Sequence, residues 1–294
     1  MKLAVLGAGG ETDFFVREFY REFNIVAYGA HQINIHAAAN AIRFCRDHGI
    51  PFLSGLDELK GYQPDYIFMA SYPTLITADL LNAYAFINMH GALVPSYRGF
   101  HGGTWAMING DKYHGYTIHQ VDTGIDSGPV YYQGIVEADL RDDINTIRAK
   151  LLEHFQQHAA EVFGRIFSGT LQPVPQDDSL AKYVCRRTHE DGLIDWQQTA
   201  WNVFNLVRAL TPPYTAGAFT FYRGEKLYIT KAIWSESPAY IATVGQVVAK
   251  LPDQGVLVKC RDRALLVQRL NYRGVNMDPN DLFKTVGARF ASCK

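Results

Sequence analysis

Apolar runs alternate with amphipathic segments through the first half of the chain. The runs LAVLG, IVAYGA, YIFMAS and AFINMH are continuously apolar, whereas DFFVREFYREF and INIHAAANAIRFCRDHG repeat apolar residues at helical spacing. Continuous apolar strands separated by helices are typical of a parallel sheet that is covered on both faces. The pattern therefore predicts an α/β domain with a mostly parallel sheet and helices on both of its faces.

The pattern changes in the second half of the chain. Residues 143–168 form the longest helical pattern, and the connector GTLQPVPQDDS that follows is rich in Pro, Gln and Asp. A further helix, AWNVFNLVRAL, stops at TPP, and short strand candidates with tight turns come after it, which favours a small β-barrel. We predict a catalytic domain over residues 1–179, a linker over 180–200 and a second domain over 201–294.

Composition narrows the class of partner and the compartment. The formal net charge is −1 and charged residues make up 19% of the chain, so a polyanion finds no overall electrostatic attraction and nucleic acid is not the expected partner. No apolar run is long enough to predict a membrane-spanning helix. The four cysteines, which lack a CxxC pair, indicate free thiols and a cytoplasmic location; they are Cys45, Cys185, Cys260 and Cys293.

Two motifs invite a cofactor or a metal, and both are better explained by packing. GAGGET lacks the third glycine of the dinucleotide fingerprint, since Thr12 stands there, so an ordinary strand-to-helix turn is favoured. HFQQH places His154 and His158 one helical turn apart, but it lacks the glutamate of the metalloprotease motif. We therefore expect neither a dinucleotide nor a metal.

Polar side chains stand where the strand AFINMH ends. Asn88 and His90 are two residues apart, so on a strand they point to the same face, at the carboxyl edge where open α/β sheets bind ligands. The alternative is a capped turn beside a satisfied core histidine. A second strand candidate ends in the loop DTGIDSGP, which carries Asp122 and Asp126 among glycines that let the backbone approach a ligand.

An amide, an imidazole and a carboxylate together suit acyl transfer to an amine. The amide N–H stabilises a developing oxyanion, the imidazole moves protons and the carboxylate orients the imidazole. Neither motif contains a serine or a cysteine that is placed as a nucleophile. This favours direct transfer over a route through an acyl-enzyme.

These motifs resemble the folate-dependent formyltransferases, the group that includes methionyl-tRNA formyltransferase and the sugar-nucleotide N-formyltransferases. INMHGALVPSYRG and GYTIHQVDTGIDSGP carry the resemblance, and RRTHEDGLIDW and LVRALTPPYTAGAF extend it over nearly the whole chain. The resemblance implies a Rossmann-like catalytic domain that binds 10-formyltetrahydrofolate without a metal, followed by a small OB-like β-barrel. It also implies that Asn88, His90 and Asp126 are the catalytic residues.

The resemblance places folate near ASYPTLI and the acidic loop. The residues it assigns to folate are Ser71, Tyr72, Leu75, Asp122 and Gly124. One departure is visible, because Ala92 stands where the family often has a serine after the histidine. Any role of that serine in binding folate or substrate is therefore left open.

For the acceptor, the resemblance favours the amine of a nucleotide-linked amino sugar, above all a 4-amino-4,6-dideoxyhexose on dTDP, in O-antigen or other surface-polysaccharide synthesis. Members that modify tRNA carry a basic insertion after the second strand, whereas YGAHQINIHAAANAIRF has no basic cluster to contact phosphates. Candidate substrate residues are Tyr97, Arg98, Arg208 and Tyr222, the arginines for a pyrophosphate and the tyrosines for a base.

Several alternatives stay open at this point. UDP- or GDP-linked sugars and a 3-amino group are alternatives for the acceptor, and a homodimer is neither required nor excluded. The chain could instead be a methionyl-tRNA formyltransferase, a formyltetrahydrofolate hydrolase, or a folate- or nucleotide-binding module that does not use its triad.

Overall fold

The computed structural model describes residues 1–291, and Cys293 lies outside the described residues. The described chain divides into two compact units, and the division does not follow the chain order strictly. The first unit contains residues Met1–Gly102, Gly115–Val136 and Lys150–Val184, and the second contains Gly103–His114, Glu137–Ala149 and the chain from Cys185 onward. The domain boundaries at residues 179 and 200 stay a prediction.

The amino-terminal two thirds of the chain alternates strands with helices, as the apolar pattern predicts. The strands are β1 (Leu3–Gly7), β2 (Ile25–Gly29), β3 (Phe52–Leu53), β4 (Tyr66–Ala70), β5 (Ala85–His90), β6 (Arg98–Gly99), β7 (Tyr113–Gln120), β8 (Val130–Glu137) and β9 (Tyr183–Val184). The helices are α1 (Gly10–Phe19), α2 (Ala39–Asp47), α3 (Leu59–Tyr62), α4 (Ala78–Ala83), α5 (Gly102–Asn109) and α6 (Ile144–Phe167).

Seven of these strands form one sheet in the order β3-β2-β1-β4-β5-β7-β8. The pairs from β3 through β5 are parallel, and β7 runs antiparallel to β5. Apolar residues alternate between its two faces, so that Val5 packs in one buried cluster with Phe68 and Leu6 packs in another with Met69. The predicted mostly parallel sheet, covered on both faces, is confirmed.

The glycine-rich turn after β1 is explained by packing within the first unit. Gly7 has φ +136°, and a Cβ at this position would lie 1.8 Å from the carbonyl oxygen of Ala70 on the neighbouring strand. Thr12 is buried, and its Oγ1 donates to the carbonyl of Gly9 at 3.1 Å, which closes the turn. The backbone therefore needs glycine here for strand packing, whatever binds beyond the strand.

The histidine pair on α6 also packs within the fold. The rings of His154 and His158 are stacked with their centroids 4.1 Å apart, and the hydroxyl of Tyr116 lies 3.1 Å from His154 Nδ1. Within residues 1–291, no group of three or more His, Cys, Asp or Glu is arranged to hold a metal ion.

The main part of the second unit, residues 185–291, has a largely antiparallel β structure with short helices. Its elements are α7 (Ala200–Ala209), β10 (Ala218–Tyr222), β11 (Glu225–Ile233), β12 (Val247–Leu251), β13 (Gly255–Lys259), β14 (Ala264–Tyr272), β15 (Val275–Met277) and α8 (Pro279–Leu282). The sheet order is β10-β11-β14-β13-β12, with β15 paired to β14. A β-rich C-terminal domain is thereby confirmed, and closure into an OB-like barrel stays a prediction. The part of the chain that the structure describes holds no helix that could cross a membrane.

Candidate active site

The carboxyl end of β5 presents Asn88 and His90 on one face of the seven-stranded sheet, as their spacing predicts. The neighbouring β7 runs antiparallel, and its register places His119 directly opposite Asn88 and Thr117 opposite His90. Directly opposite residues on paired strands have side chains on the same face of the sheet. The pairing of β5 with β7 therefore brings a second histidine beside the two predicted residues.

Asp126 reaches the same place from the loop after β7. Its backbone adopts φ 49°, in the left-handed region, and the amide of Gly99 donates to Asp126 Oδ2 at 2.9 Å. That oxygen lies 3.3 Å from His90 Nδ1, and Asn88 Nδ2 donates to Asp126 Oδ1 at 3.4 Å. The loop and the strand thus bring the three predicted residues into direct contact.

His119 is a fourth member of the cluster that the sequence predictions did not include. Its Nδ1 lies 2.8 Å from the carbonyl oxygen of Gln120, and a carbonyl can only accept, so Nδ1 carries a proton. In the neutral ring, Nε2 is then an acceptor, and it lies 3.1 Å from Asn88 Nδ2 and 3.4 Å from Asp126 Oδ1. His119 therefore accepts from Asn88 and orients its amide. The period of two in YTIHQ is the signal that could have identified it.

The electrostatics of His90 result from two opposing effects. Burial lowers the pKa of His90 below its ordinary value, although the nearby Asp126 carboxylate and a contact to the Tyr97 carbonyl both raise it. The His90 Nε2 atom lies 2.7 Å from that carbonyl oxygen. Because burial prevails, the neutral ring, which can accept a proton, is favoured near neutral pH.

Asp126 stays ionised in this setting. Burial raises the pKa of its carboxyl, but the neighbouring His119 and His90 rings and the Gly99 amide lower it, and the net pKa lies below the ordinary value. A carboxylate that is ionised and hydrogen-bonded from several sides has a fixed orientation. Asp126 is therefore suited to orienting the imidazole.

The residues predicted for folate lie near the carboxyl end of β4 and in the loop after β7. Ser71 follows β4 with φ 54°, Tyr72 is half-buried with its ring 6.0 Å from that of His31, and the side chain of Leu75 is 70% exposed. Asp122 accepts from the amide of Gly124 at 3.0 Å and from Ser127 Oγ at 2.8 Å. Asp122 therefore shapes its own loop, while the exposed Leu75 offers an apolar surface.

The residues predicted for the acceptor are spread over both units. In the first unit, Arg98 is buried, with hydrogen bonds to Gln176, Asp178 and Tyr183, and Tyr97 contributes its backbone carbonyl to the contact with His90.

The other two lie in the second unit. Arg208 is buried there and donates to Asn205 and to the carbonyl of Asp139, while Tyr222 packs edge-to-face on Phe283. Arg98 and Arg208 thus both have hydrogen-bond partners within their own units.

Comparison with known proteins shows that this chain is similar to formyltransferases. A model described as "Formyl transferase" matches residues 54–162, and one described as "Formyl transferase, C-terminal domain" matches residues 186–287. The chain is 32% identical over 254 residues to a methionyl-tRNA formyltransferase from Ruminiclostridium cellulolyticum, covering 80% of this chain and 78% of that protein.

Two solved structures show the same fold at low identity. One is the N-formyltransferase from Helicobacter canadensis in complex with folinic acid and dTDP-3-aminofucose, with a TM-score of 0.73, 16% identity, and coverage of 91% of this chain and 99% of that one. The other is HypX from Aquifex aeolicus in complex with tetrahydrofolic acid, with a TM-score of 0.65 and 18% identity. The match covers 96% of this chain but 46% of that HypX chain, so this chain spans about half the length of HypX.

Proposed function

This chain belongs to the formyltransferase family and is a formyl-transferring enzyme, and we propose that it transfers the formyl group of 10-formyltetrahydrofolate to the amine of a nucleotide-linked amino sugar. The observation that carries the proposal is the contact of Asn88, His90 and Asp126 at the carboxyl end of β5. These groups supply an oxyanion donor, a base and an orienting carboxylate in one place.

In the proposed reaction, the neutral amine of the acceptor attacks the formyl carbon of the donor. A C–N bond forms to the acceptor nitrogen, and the bond from the formyl carbon to N10 of the folate breaks. His90 accepts the proton that the attacking nitrogen loses and delivers a proton to the leaving nitrogen, so the proton count balances. Asp126 orients His90 and stabilises the imidazolium that forms in between.

The contacts within the cluster indicate where the substrates enter. Asn88 Nδ2 uses its two N–H groups on His119 at 3.1 Å and on Asp126 at 3.4 Å. We propose that the formyl oxygen replaces Asp126 in the longer of these two contacts. Negative charge develops on the formyl oxygen in the transition state, and the N–H group of Asn88 then stabilises it. The amine replaces the Tyr97 carbonyl at His90 Nε2, since apo contacts rearrange when substrates bind. The ring proton, which Nε2 donates to that carbonyl in the apo enzyme, then lies on Nδ1 beside Asp126, so that Nε2 can accept the amine proton.

We assign the folate donor to Ser71, Tyr72, Leu75, Asp122 and Gly124. The half-buried ring of Tyr72 and the exposed side chain of Leu75 suit a flat aromatic ligand. Gly124 is exposed and its amide donates to Asp122, so its carbonyl is the group we assign to the polar edge of that ligand. In support, the solved N-formyltransferase of Helicobacter canadensis holds folinic acid, and the HypX structure holds tetrahydrofolic acid.

For the acceptor, we favour a dTDP-linked 4-amino-4,6-dideoxyhexose of surface-polysaccharide synthesis. The segment 30–42 after β2 contains no Lys or Arg, and the net charge is −1, which gives tRNA phosphates little to bind. Arg98 and Arg208 do not support the proposal, because both guanidinium groups are buried and donate to neighbours. Tyr97 and Tyr222 remain the proposed contacts to the nucleotide.

The test is a panel of nucleotide-linked amino sugars incubated with 10-formyltetrahydrofolate and scored by a mass gain of one formyl group. We expect a gain with at least one dTDP-linked 4-amino sugar, and none with the corresponding 4-hydroxy sugar as the matched control. A panel without any formylated product contradicts the acceptor proposal. Full transfer by the Asn88→Ala, His90→Ala and Asp126→Ala variants contradicts the catalytic assignment.

Methionyl-tRNA is the second candidate acceptor, because curated relatives of that activity share 32% and 33% identity with this chain. Formylation of charged initiator tRNA, together with tight and salt-sensitive binding of that tRNA, would establish this alternative over the sugar. Formate release at full rate without any acceptor would instead show a formyltetrahydrofolate hydrolase, in which water replaces the amine.

A further inference from the structure

Gln176 connects the loop that carries Asp126 to a buried arginine. Its Nε2 donates to the carbonyl of Asp126 at 2.9 Å and to the carbonyl of Gly128 at 2.7 Å. Its Oε1 accepts from Arg98 Nε at 3.1 Å and from Arg98 Nη2 at 2.9 Å. A guanidinium only donates and a carbonyl only accepts, so these four contacts fix the orientation of the Gln176 amide without ambiguity.

The arginine is itself held on several sides within the first unit. Arg98 is 2% exposed, and its guanidinium also donates to Asp178 Oδ1 at 2.7 Å and to the Tyr183 hydroxyl at 3.1 Å. Its backbone pairs with Tyr183 where β6 runs parallel to β9. The position of Arg98 is therefore fixed by its neighbours, and Gln176 connects it to the loop that carries Asp126.

The loop needs such a hold because of its backbone conformation. Asp126 has φ 49°, a left-handed conformation that a residue with a Cβ adopts at a cost. The two carbonyls that Gln176 binds belong to Asp126 itself and to the residue two positions later. The carboxylate of Asp126, on the other side of the same residue, contacts His90, Asn88 and His119.

We propose that Gln176 and Arg98 are positioning residues for the reaction, which hold the Asp126 loop so that its carboxylate faces His90. Gln176 acts on the backbone of Asp126, and Arg98 acts through Gln176. This inference rests on the proposed function as far as kcat is concerned, because kcat is measured for the proposed transfer reaction. A purely structural tie, in contrast, would affect stability and leave the chemistry of His90 as it is.

Gln176→Met is the variant that tests this proposal, because methionine has nearly the same length and removes all four contacts of the amide. Its matched control is Gln172→Met, the same substitution on the same segment. Gln172 is exposed, and its Nε2 donates to the Gly169 carbonyl at 2.7 Å, a contact that does not involve the Asp126 loop. Arg98→Lys is a second variant, which keeps the charge but loses the planar fork that grips Gln176 Oε1.

Two measurements separate positioning from mere stability. In steady-state kinetics, we expect Gln176→Met to lower kcat about tenfold to a hundredfold with little change in the KM of either substrate, as for other residues that orient reacting groups. In an NMR titration of the histidine rings, assigned with His90→Gln, we expect the pKa of His90 to be lower in Gln176→Met than in the parent. The displaced carboxylate would then raise that pKa less, while His119 stays where β7 holds it.

The outcomes are distinct. Arg98→Lys should lower both kcat and the pKa of His90, as Gln176→Met does, and Gln172→Met should change neither. An unchanged kcat and an unchanged His90 pKa in folded Gln176→Met and Arg98→Lys would overturn the proposal. The NMR titration needs no substrate, so it still decides the positioning role if the acceptor panel shows no transfer and the proposed function fails.

Discussion

Asn88 on β5 and His119 on β7 are direct cross-strand partners, and their side chains meet with Asn88 Nδ2 3.1 Å from His119 Nε2. In the neutral ring the contact has a defined polarity, because His119 Nδ1 is bound to the carbonyl of Gln120 at 2.8 Å and Nε2 is left to accept. The ring therefore directs the amide N–H groups of Asn88 toward the cluster and prevents the amide from turning over.

The first prediction concerns this contact. His119→Phe keeps the ring but removes the acceptor, so the Asn88 amide is free to rotate away from the formyl oxygen. We expect kcat to fall about tenfold to a hundredfold with smaller changes in KM, as is typical when a residue that orients a catalytic group is lost. Steady-state kinetics at saturating donor would measure this.

The control for that experiment is His48→Phe, the same substitution at an exposed position at the end of α2. It should keep the parent kcat. A His119→Phe enzyme with unchanged kcat would mean that the orientation of Asn88 does not depend on His119.

The second prediction concerns the charge of Asp126. In Asp126→Asn the carboxylate that raises the pKa of His90 is gone while burial remains, so we expect the pKa of His90 to fall further below its ordinary value. We also expect kcat to drop by about a hundredfold or more, because the imidazolium that forms in the reaction loses its counterion. NMR titration and single-turnover kinetics measure the two effects separately.

Asp177→Asn is a suitable control for this substitution. Asp177 is exposed and its side chain accepts from the Ser179 amide at 3.0 Å, a contact that an asparagine oxygen can also make. An Asp126→Asn enzyme in which the His90 pKa rises would contradict the effect that we assign to the charge of Asp126.

Much of the sheet and part of the site could be predicted from the sequence. Buried parallel strands are continuously apolar, so β1, β2, β4 and β5 can be recognised in the sequence as apolar runs. Asn88 and His90 stand out because a period of two places both on one face at a strand end. Asp126 could be paired with them through the resemblance, and the structure brings it to His90 across 36 residues of chain (126 − 90 = 36).

The residues that were missed depend on contacts that local patterns do not encode. His119 lies opposite Asn88 only because β7 is antiparallel to β5 in one particular register. Gln176 belongs to a stretch with the composition of a connector, and its partner Asp126 is 50 residues earlier in the chain. Arg98 and Arg208 are predicted to bind substrate because a pyrophosphate attracts cations, and that role stays a prediction. What the sequence does not show is that partners within each unit allow both side chains to be buried.

The third prediction concerns the space around the Asp126 loop. A Cβ at Gly128 would lie 1.9 Å from the carbonyl oxygen of Gln120, a backbone atom that cannot give way without moving β7. We expect Gly128→Ala to displace the loop and reduce kcat by about tenfold or more, since small misplacements of reacting groups are costly. Kinetics and a thermal unfolding scan would record the effect.

Gly164→Ala is the matched control for Gly128→Ala. Gly164 lies within α6, and a Cβ there would meet no atom within 4 Å. Because alanine is the better helix former, this variant should unfold at a higher temperature, with a stabilisation of about 0.5–1 kcal/mol. A Gly128→Ala enzyme as active as Gly164→Ala would show that the loop tolerates displacement.

The last prediction is the pH dependence of the reaction. His90 acts as a base only when it is neutral, and burial lowers its pKa below the ordinary 6.5 despite the opposing charge of Asp126. Below that pKa the neutral fraction of His90 falls about tenfold for each pH unit, so activity is lost toward acid pH. Asp126 has a pKa below its ordinary value and stays ionised over this range. We therefore expect the acid limb of kcat/KM, which reports the pKa of the free enzyme, to have its midpoint below 6.5 and to move to still lower pH in Asp126→Asn. A midpoint above 6.5 would mean that the Asp126 charge outweighs burial, and that His90 is protonated in the resting enzyme.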